Sequence, residues 1–390
     1  SKALIDRSRK VDIGYVLQAS EEAKIYRRQL YDAGYKEVKE TENEAHLYPH
    51  VLEILSLWAV MTRLKKPSLK YYNDLVELEK MEALEDLDPL VKAKLYDGTI
   101  HETLKLNVQK ALTDKYLQKL IRNEHRDENS GGVSPRLVQN LITDIISNKE
   151  SEEIEHNRKK ACLSMFRVFN ALEDLVNNHR DEIEFLKEKT DGDYKNFKLH
   201  LTMLWDEYNR RVQKEVKKSI INLPEDKIEK RVHDYIQNIS AHVRNVTVMN
   251  KVTGREEPPN EEKMRWFEEK VGIEKDRKDE FREGIIKDIG LASYSSNGEI
   301  NLKEICKPLF FLLEEGLFKE KVKNFNLNND KMITAFERYG TEKFKDLEPK
   351  EQELINNTLD NMVKNYKYCY DCAKDIVLYS LKEELVKMEV

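Results

Sequence analysis

"GGVSPRLVQNLITDII", residues 131–146, carries the punctuation of a helix start. Gly131 and Gly132 end whatever precedes them. Ser134 can offer its hydroxyl to free backbone N–H groups, and Pro135 suits the first helical position because its missing N–H would have no partner there. Leu137, Leu141, Ile142 and Ile145 then recur at helical spacing, which predicts an amphipathic helix. Arg136 does not fit that pattern, because a cation in the first turn faces the positive end of the helix dipole. A phosphate in front of the turn would reconcile the two, gaining the dipole, the free N–H groups and a bidentate guanidinium contact together. The plainer alternative is a surface or ion-paired arginine.

The rest of the chain points to helices. Charged residues make up 36% of 390 residues, with only 13 glycines and 9 prolines, too few turn formers for a β-rich fold. The length accommodates two or three domains. A net charge of −6 argues against general nucleic-acid binding. No apolar run approaches the roughly 18–20 residues of a membrane span, and no apolar segment follows "SKALIDRSRK" as in a signal peptide. The expected location is therefore cytoplasmic, with neither nucleic acid nor membrane as partner.

"RKVDIGYVLQ" (9–18) alternates polar and apolar residues and is the one convincing strand. Ser20 is the expected cap of the next helix, opened by Glu21 and Glu22. Val51, Leu55, Trp58 and Leu64 define a helical face that stops before Pro67, and "YDG" (96–98) reads as a helix end. A further helix is expected over 102–124. The polar stretch 147–160 reads as a hinge. Helices then follow at about 155–178, 193–221, 225–249, 261–271 and 299–323, with Pro258 and Pro259 breaking the run.

Several apparent signals dissolve on inspection. "HRD" occurs at His125–Asp127 and His179–Asp181 and opens the catalytic loop of eukaryotic-type kinases, but the required Asn five residues on is replaced by Gly132 and Leu186. The basic run "RRVQKEVKK" (210–218) reads as a solvated helix face. Cys369 and Cys372 form a C-x-x-C, yet no second ligand pair lies nearby and no histidine follows His242. They read as helix-packing thiols, and no metal site is expected. No G-x-x-x-x-G-K-[ST] loop and no hydrolytic triad is present. What remains is Arg136 and, in "ALIDRSRKVDI", Arg7, placed where a segment could project toward a neighbouring subunit.

Taken together, "ALIDRSRKVDIGYVLQASEEAKIY" (3–26), "RLKKP" (63–67), "LYDG" (95–98), "GGVSPRLVQNLITDII" (131–146), "TGREEPPNEEKM" (253–264) and "EFREGII" (280–286) resemble, in order and spacing, the C-terminal portion of the bacterial PrkA-type serine protein kinases, whose N-terminal half is an AAA+ ATPase module. The resemblance implies a mainly α chain: residues 1–19 as the end of the ATPase core with its last strand, 20–148 as the helical lid, and 149–390 as the all-α PrkA C-terminal domain. It implies that Arg136 is the sensor 2 arginine, touching nucleotide phosphate, and that Arg7 is the trans-acting arginine reaching a neighbour's nucleotide. It further implies ATP with magnesium as cofactor, a homo-oligomer, and a protein as substrate or partner. The family's phosphate loop and metal-holding acidic strand would lie upstream of Ser1, so this chain by itself is expected to be inactive. Two other readings stand beside an ATP-dependent kinase. One is a partner-remodelling ATPase whose helical region grips another protein. The other is a plain helical interaction module.

Overall fold

The computed structural model describes residues 14–38, 45–147, 162–249, 254–295, 306–324 and 329–388. These form a mainly α structure, as the composition implied, with two short two-stranded sheets among the described residues. The chain divides into two compact units. The first comprises Ser1–Arg211 with Lys367–Cys372, and the second Val212–Tyr366 with Ala373–Val390.

The first unit contains α1 (Ala19–Asp32), α2 (Val51–Arg63), α3 (Leu69–Tyr72), α4 (Leu78–Glu85), α5 (Pro89–Tyr96), α6 (Leu106–Leu112), α7 (Lys115–Glu124), α8 (Pro135–Ser147), α9 (Met165–Asn178) and the first part of α10 (Phe197–Ile221). At its centre lies α2, "VLEILSLWAVMTR", in which every residue but Glu53 is buried. A helix apolar around its circumference can be stable only inside other helices, and α1, α5, α8 and α9 all pack on it. Its end is set by Leu64, whose backbone turns extended ahead of Pro67. Two short parallel strands, β1 (Tyr35–Lys36) and β2 (Ala45–His46), pair beside this core, and Leu47 bridges to Leu163.

The second unit is built on α11 (Glu225–Arg244), against which α12 (Glu261–Lys270), α13 (Lys278–Ser295) and α14 (Lys307–Asn324) pack. Ile228, Val232, Ile239, Met264 and Leu313 fill its core, and the Tyr235 and Phe267 rings stack with centroids 4.0 Å apart. Between α11 and α12, β3 (Val248–Met249) pairs antiparallel with β4 (Glu256–Glu257). The helices α15 (Asn329–Arg338), α16 (Pro349–Tyr366) and α17 (Tyr370–Met388) complete the chain.

Four local expectations differ from the structure. Residues 9–13 of the expected strand lie outside the described residues, and residues 14–18 join no strand. Ser20 lies inside α1 rather than capping it, and its N–H and hydroxyl both donate to Asp97 Oδ1, at 3.0 and 2.6 Å. The expected helix 102–124 is two helices, because the Asp114 carboxylate accepts from the N–H groups of Tyr116 and Leu117 and starts α7 afresh. Finally, the segment carrying the C-x-x-C is not continuous helix. Residues 367–369 separate α16 from α17, and Lys367 adopts a left-handed conformation, φ 64°.

Candidate functional site

The start of α8 is held in place by the end of α2. Gly132 has φ +73°, and a Cβ there would lie 2.7 Å from the carbonyl of Thr62, so the position requires glycine on both counts. The Val133 N–H donates to Thr62 Oγ1 at 3.0 Å, and Arg63 Nε donates to the Val133 carbonyl at 3.0 Å. Ser134 Oγ accepts from the Leu137 N–H at 3.2 Å, the cap read from the sequence, with Pro135 as the first helical residue. Arg136 follows on this fixed turn. Its side chain is exposed and makes no hydrogen bond or ion pair with any described residue. Arg7 lies outside the described residues.

Beneath the turn, charges are buried in pairs. Arg63 Nη2 lies 2.6 Å from Glu22 Oε1, and Tyr26 donates to the same oxygen at 2.5 Å. Burial and the Glu22 charge push the Tyr26 hydroxyl pKa well above its usual value. The Arg63 guanidinium also faces the Tyr15 ring at 5.0 Å, and Tyr15 N–H donates to the Asn129 carbonyl at 2.6 Å. The segment at Tyr15 thus meets the loop that leads to Arg136. Glu128, in the same loop, receives Lys92 Nζ at 2.6 Å, the Tyr96 hydroxyl at 2.7 Å and the Lys65 N–H at 2.6 Å. Burial holds the Lys92 ammonium below its ordinary pKa.

The decoy motifs are structural. His125 Nε2 bonds the Lys66 carbonyl at 3.0 Å, and Asp127 pairs with Lys65. His179 sits half-exposed between Asp174 and Glu182. The basic run departs from a simple solvated face at its start, where Arg210 and Arg211 both pair with the buried carboxylate of Glu207.

A second constellation was not foreseen from the spacing of its members. Cys369, just before α17, and Cys372, in its first turn, meet His46 of β2 and Cys162, beside the Leu47–Leu163 bridge. The four potential ligand atoms lie within 4.8 Å of one another. His46, Cys162 and Cys372 are buried and Cys369 is partly so. Hydrogen bonds from the neighbouring thiols hold Cys369 well below the ordinary thiol pKa, while burial pushes Cys372 up. No second ligand pair lies close in sequence, because His46 stands 326 positions from Cys372. The only available signal was that the chain has just four cysteines and two share a C-x-x-C.

Among the described residues the chain is mainly α, with a capped, glycine-anchored helix start led by an exposed arginine. Comparison with known proteins defines the group. The PrkA serine protein kinase C-terminal domain matches residues 90–379, and the PrkA AAA domain matches residues 1–70. The chain belongs to the PrkA family. Arg136 falls in the stretch matched by the C-terminal domain, and Arg7 in that matched by the AAA domain. The ATP-dependent protease PrkA of Bacillus subtilis (strain 168) is 26% identical over 300 residues, which cover 77% of this chain and 40% of that protein. No solved structure matches. Among the described residues, no helix is long and apolar enough to cross a membrane.

Proposed function

We propose that this chain forms the lid and C-terminal helical region of an ATP-driven machine that acts on protein substrates, with Arg136 as the sensor that touches nucleotide phosphate. The observation that carries this reading is the placement of Arg136. An exposed cation with no partner among the described residues sits at a helix start that glycine, threonine and a buried arginine fix in position. Intrinsic helix physics disfavours that charge there, and an anion in front of the turn reverses the sign. ATP with magnesium supplies such an anion, and family membership supports that choice. In this reading residues 20–148 serve as the lid, Arg7 reaches the nucleotide of a neighbouring subunit in a homo-oligomer, and the remainder engages the protein substrate.

The reading is tested in the full-length protein. Arg136→Ala is expected to reduce ATP turnover by at least tenfold, in line with removing a donor aimed at developing charge (about 10²–10³-fold in other enzymes). Because the side chain makes no described contact, unfolding should shift by no more than about 0.5 kcal/mol. Unchanged turnover would remove Arg136 from the site.

Two chemistries downstream of ATP are favoured by different findings. The matched family domain is described as that of a serine protein kinase, while the Bacillus subtilis relative is named a protease. Incubating the full-length protein, ATP, magnesium and a purified protein substrate separates them. Phosphoserine on intact substrate supports the kinase, ATP-dependent fragments support proteolysis, and ATP hydrolysis with neither supports remodelling.

A further inference from the structure

We propose that His46, Cys162, Cys369 and Cys372 bind one zinc ion as a closed structural site. A tetrahedral zinc site with bonds of about 2.3 Å to sulfur places its sulfurs about 3.8 Å apart. Cys162 Sγ and Cys369 Sγ are 3.9 Å apart, Cys369 Sγ and Cys372 Sγ 3.0 Å, and His46 Nδ1 and Cys372 Sγ 3.2 Å. All four atoms fall within 4.8 Å of one another, about 1 Å wider than a closed tetrahedral shell, a gap that side-chain rotation can close. A sulfur–sulfur bond would require about 2.05 Å, and the four cysteines of the chain are free thiols.

The imidazole supplies an independent indication. Its Nε2 faces two backbone carbonyls, Lys367 O at 2.9 Å and Glu37 O at 3.2 Å. Carbonyls only accept, so Nε2 carries a proton, and Nδ1, the nitrogen that faces the thiols, is the one placed to ligate. Ligating histidines are fixed in this way, with the remote nitrogen donating to a carbonyl or carboxylate. Sulfur is provided for as well. The Cys372 N–H donates to Cys369 Sγ at 3.4 Å, and both cysteines stand at the positive end of α17.

The backbone assembles these ligands without the ion. The Leu163 N–H donates to the His46 carbonyl at 2.9 Å and the Tyr48 N–H to the Leu163 carbonyl at 3.1 Å, which places residue 162 beside residue 46. The left-handed turn at Lys367 delivers the C-x-x-C from the far end of the sequence. With four protein ligands no coordination position is left for water or substrate, so the site is structural rather than catalytic. Three thiolates and one imidazole favour zinc over harder cations. The ion would fasten Lys367–Cys372 to the β2 and Cys162 segments of the same unit, which also carries Arg136.

The test is elemental analysis of the untagged full chain expressed with zinc in the medium. One zinc per chain is expected, falling at least fivefold in Cys372→Ser and unchanged in Cys306→Ser, whose thiol lies in the core of the second unit. X-ray absorption at the zinc edge of the unmodified protein should resolve three sulfurs near about 2.3 Å and one nitrogen near about 2.0–2.1 Å. That measurement stands even if the Cys372→Ser chain fails to fold. Absence of zinc, full zinc in Cys372→Ser, a shell without sulfur, or a Cys369–Cys372 disulfide in zinc-free protein would each overturn the proposal.

Discussion

Arg63 Nη2 lies 2.6 Å from Glu22 Oε1, and neither side chain has any solvent-exposed surface. The pair joins the start of α1 to the end of α2, and the same guanidinium holds the Val133 carbonyl ahead of Arg136. Breaking a buried pair from one side strands a charge and costs about 3–5 kcal/mol. Glu22→Gln should therefore lower the urea midpoint of the first unit by that equivalent. It should also speed amide hydrogen exchange at Val133 and Leu137, which a cost confined to α1 would leave unchanged.

The turn before α8 makes a sharper comparison. Gly132 and Gly98 both have positive φ, +73° and +80°, but only at Gly132 would a Cβ meet backbone, at Thr62 and Arg63. Left-handed conformation alone costs a residue with a Cβ about 1–2 kcal/mol. Gly98→Ala should cost that much and no more. Gly132→Ala should cost clearly more, because α2 and the turn must separate. Equal shifts in the two melting curves would show that the close approach carries no energetic weight.

Much of this was legible in the sequence, and the boundary of what was legible is physical. The core of α2 and the face of α8 announce themselves because apolar period and helix geometry are local. Ser134 and Pro135 did so for the same reason. The break at Asp114 was missed because a capping side chain can end one helix and start another without glycine or proline. Pairings across long separations have no local signature at all: Arg63 with Glu22, Lys92 with Glu128, and His46 with the C-x-x-C. Strings recognised for their family resemblance, "RLKKP" and "EFREGII", hold Arg63 and Arg282, which are buried and ion-paired. Those two strings mark how the chain is held together as much as what it acts on.

Glu207 supplies a pH dependence. Burial alone would raise its pKa, but the hydrogen bond to His101 and the charges of Arg211 and Lys94 outweigh burial and lower it from 4.5 to about 2. A carboxylate with a depressed folded-state pKa stabilises fully above its unfolded value and loses that contribution as pH falls through the folded one. The window is thus about pH 4.5 down to 2, and each pH unit within it removes about 1.4 kcal/mol. Glu207→Gln should be destabilised by about 3 kcal/mol at pH 7, and the gap from the unmodified chain should narrow as pH drops below about 4.5. A gap constant from pH 7 to 3.5 would mean that Glu207 titrates normally.

In the second unit the corresponding anchor is Arg282, whose side chain is 1% exposed. Its Nε lies 2.6 Å from Glu268 Oε1, and Nη2 lies 3.1 Å from Glu268 Oε2 and 3.0 Å from Glu261 Oε1. Nη1 adds a bond to Glu261 Oε2 at 3.3 Å, and the Tyr235 hydroxyl donates to Glu268 Oε1 at 3.2 Å. One planar cation therefore ties α11, α12 and α13 together, and a lysine ammonium cannot span both carboxylates in that fork geometry. Arg282→Lys should retain the charge yet lose about 2 kcal/mol, since hydrogen bonds to charged groups contribute about 1.5–3 kcal/mol each. Arg282→Leu should lose about 3–5 kcal/mol by leaving Glu268 buried and unpaired, and adding Glu268→Leu should recover most of it. Hydrogen exchange in α11 and α12 reads the effect within the unit. If the lysine variant exchanges like the unmodified chain, charge alone suffices and the fork geometry is not what holds these three helices.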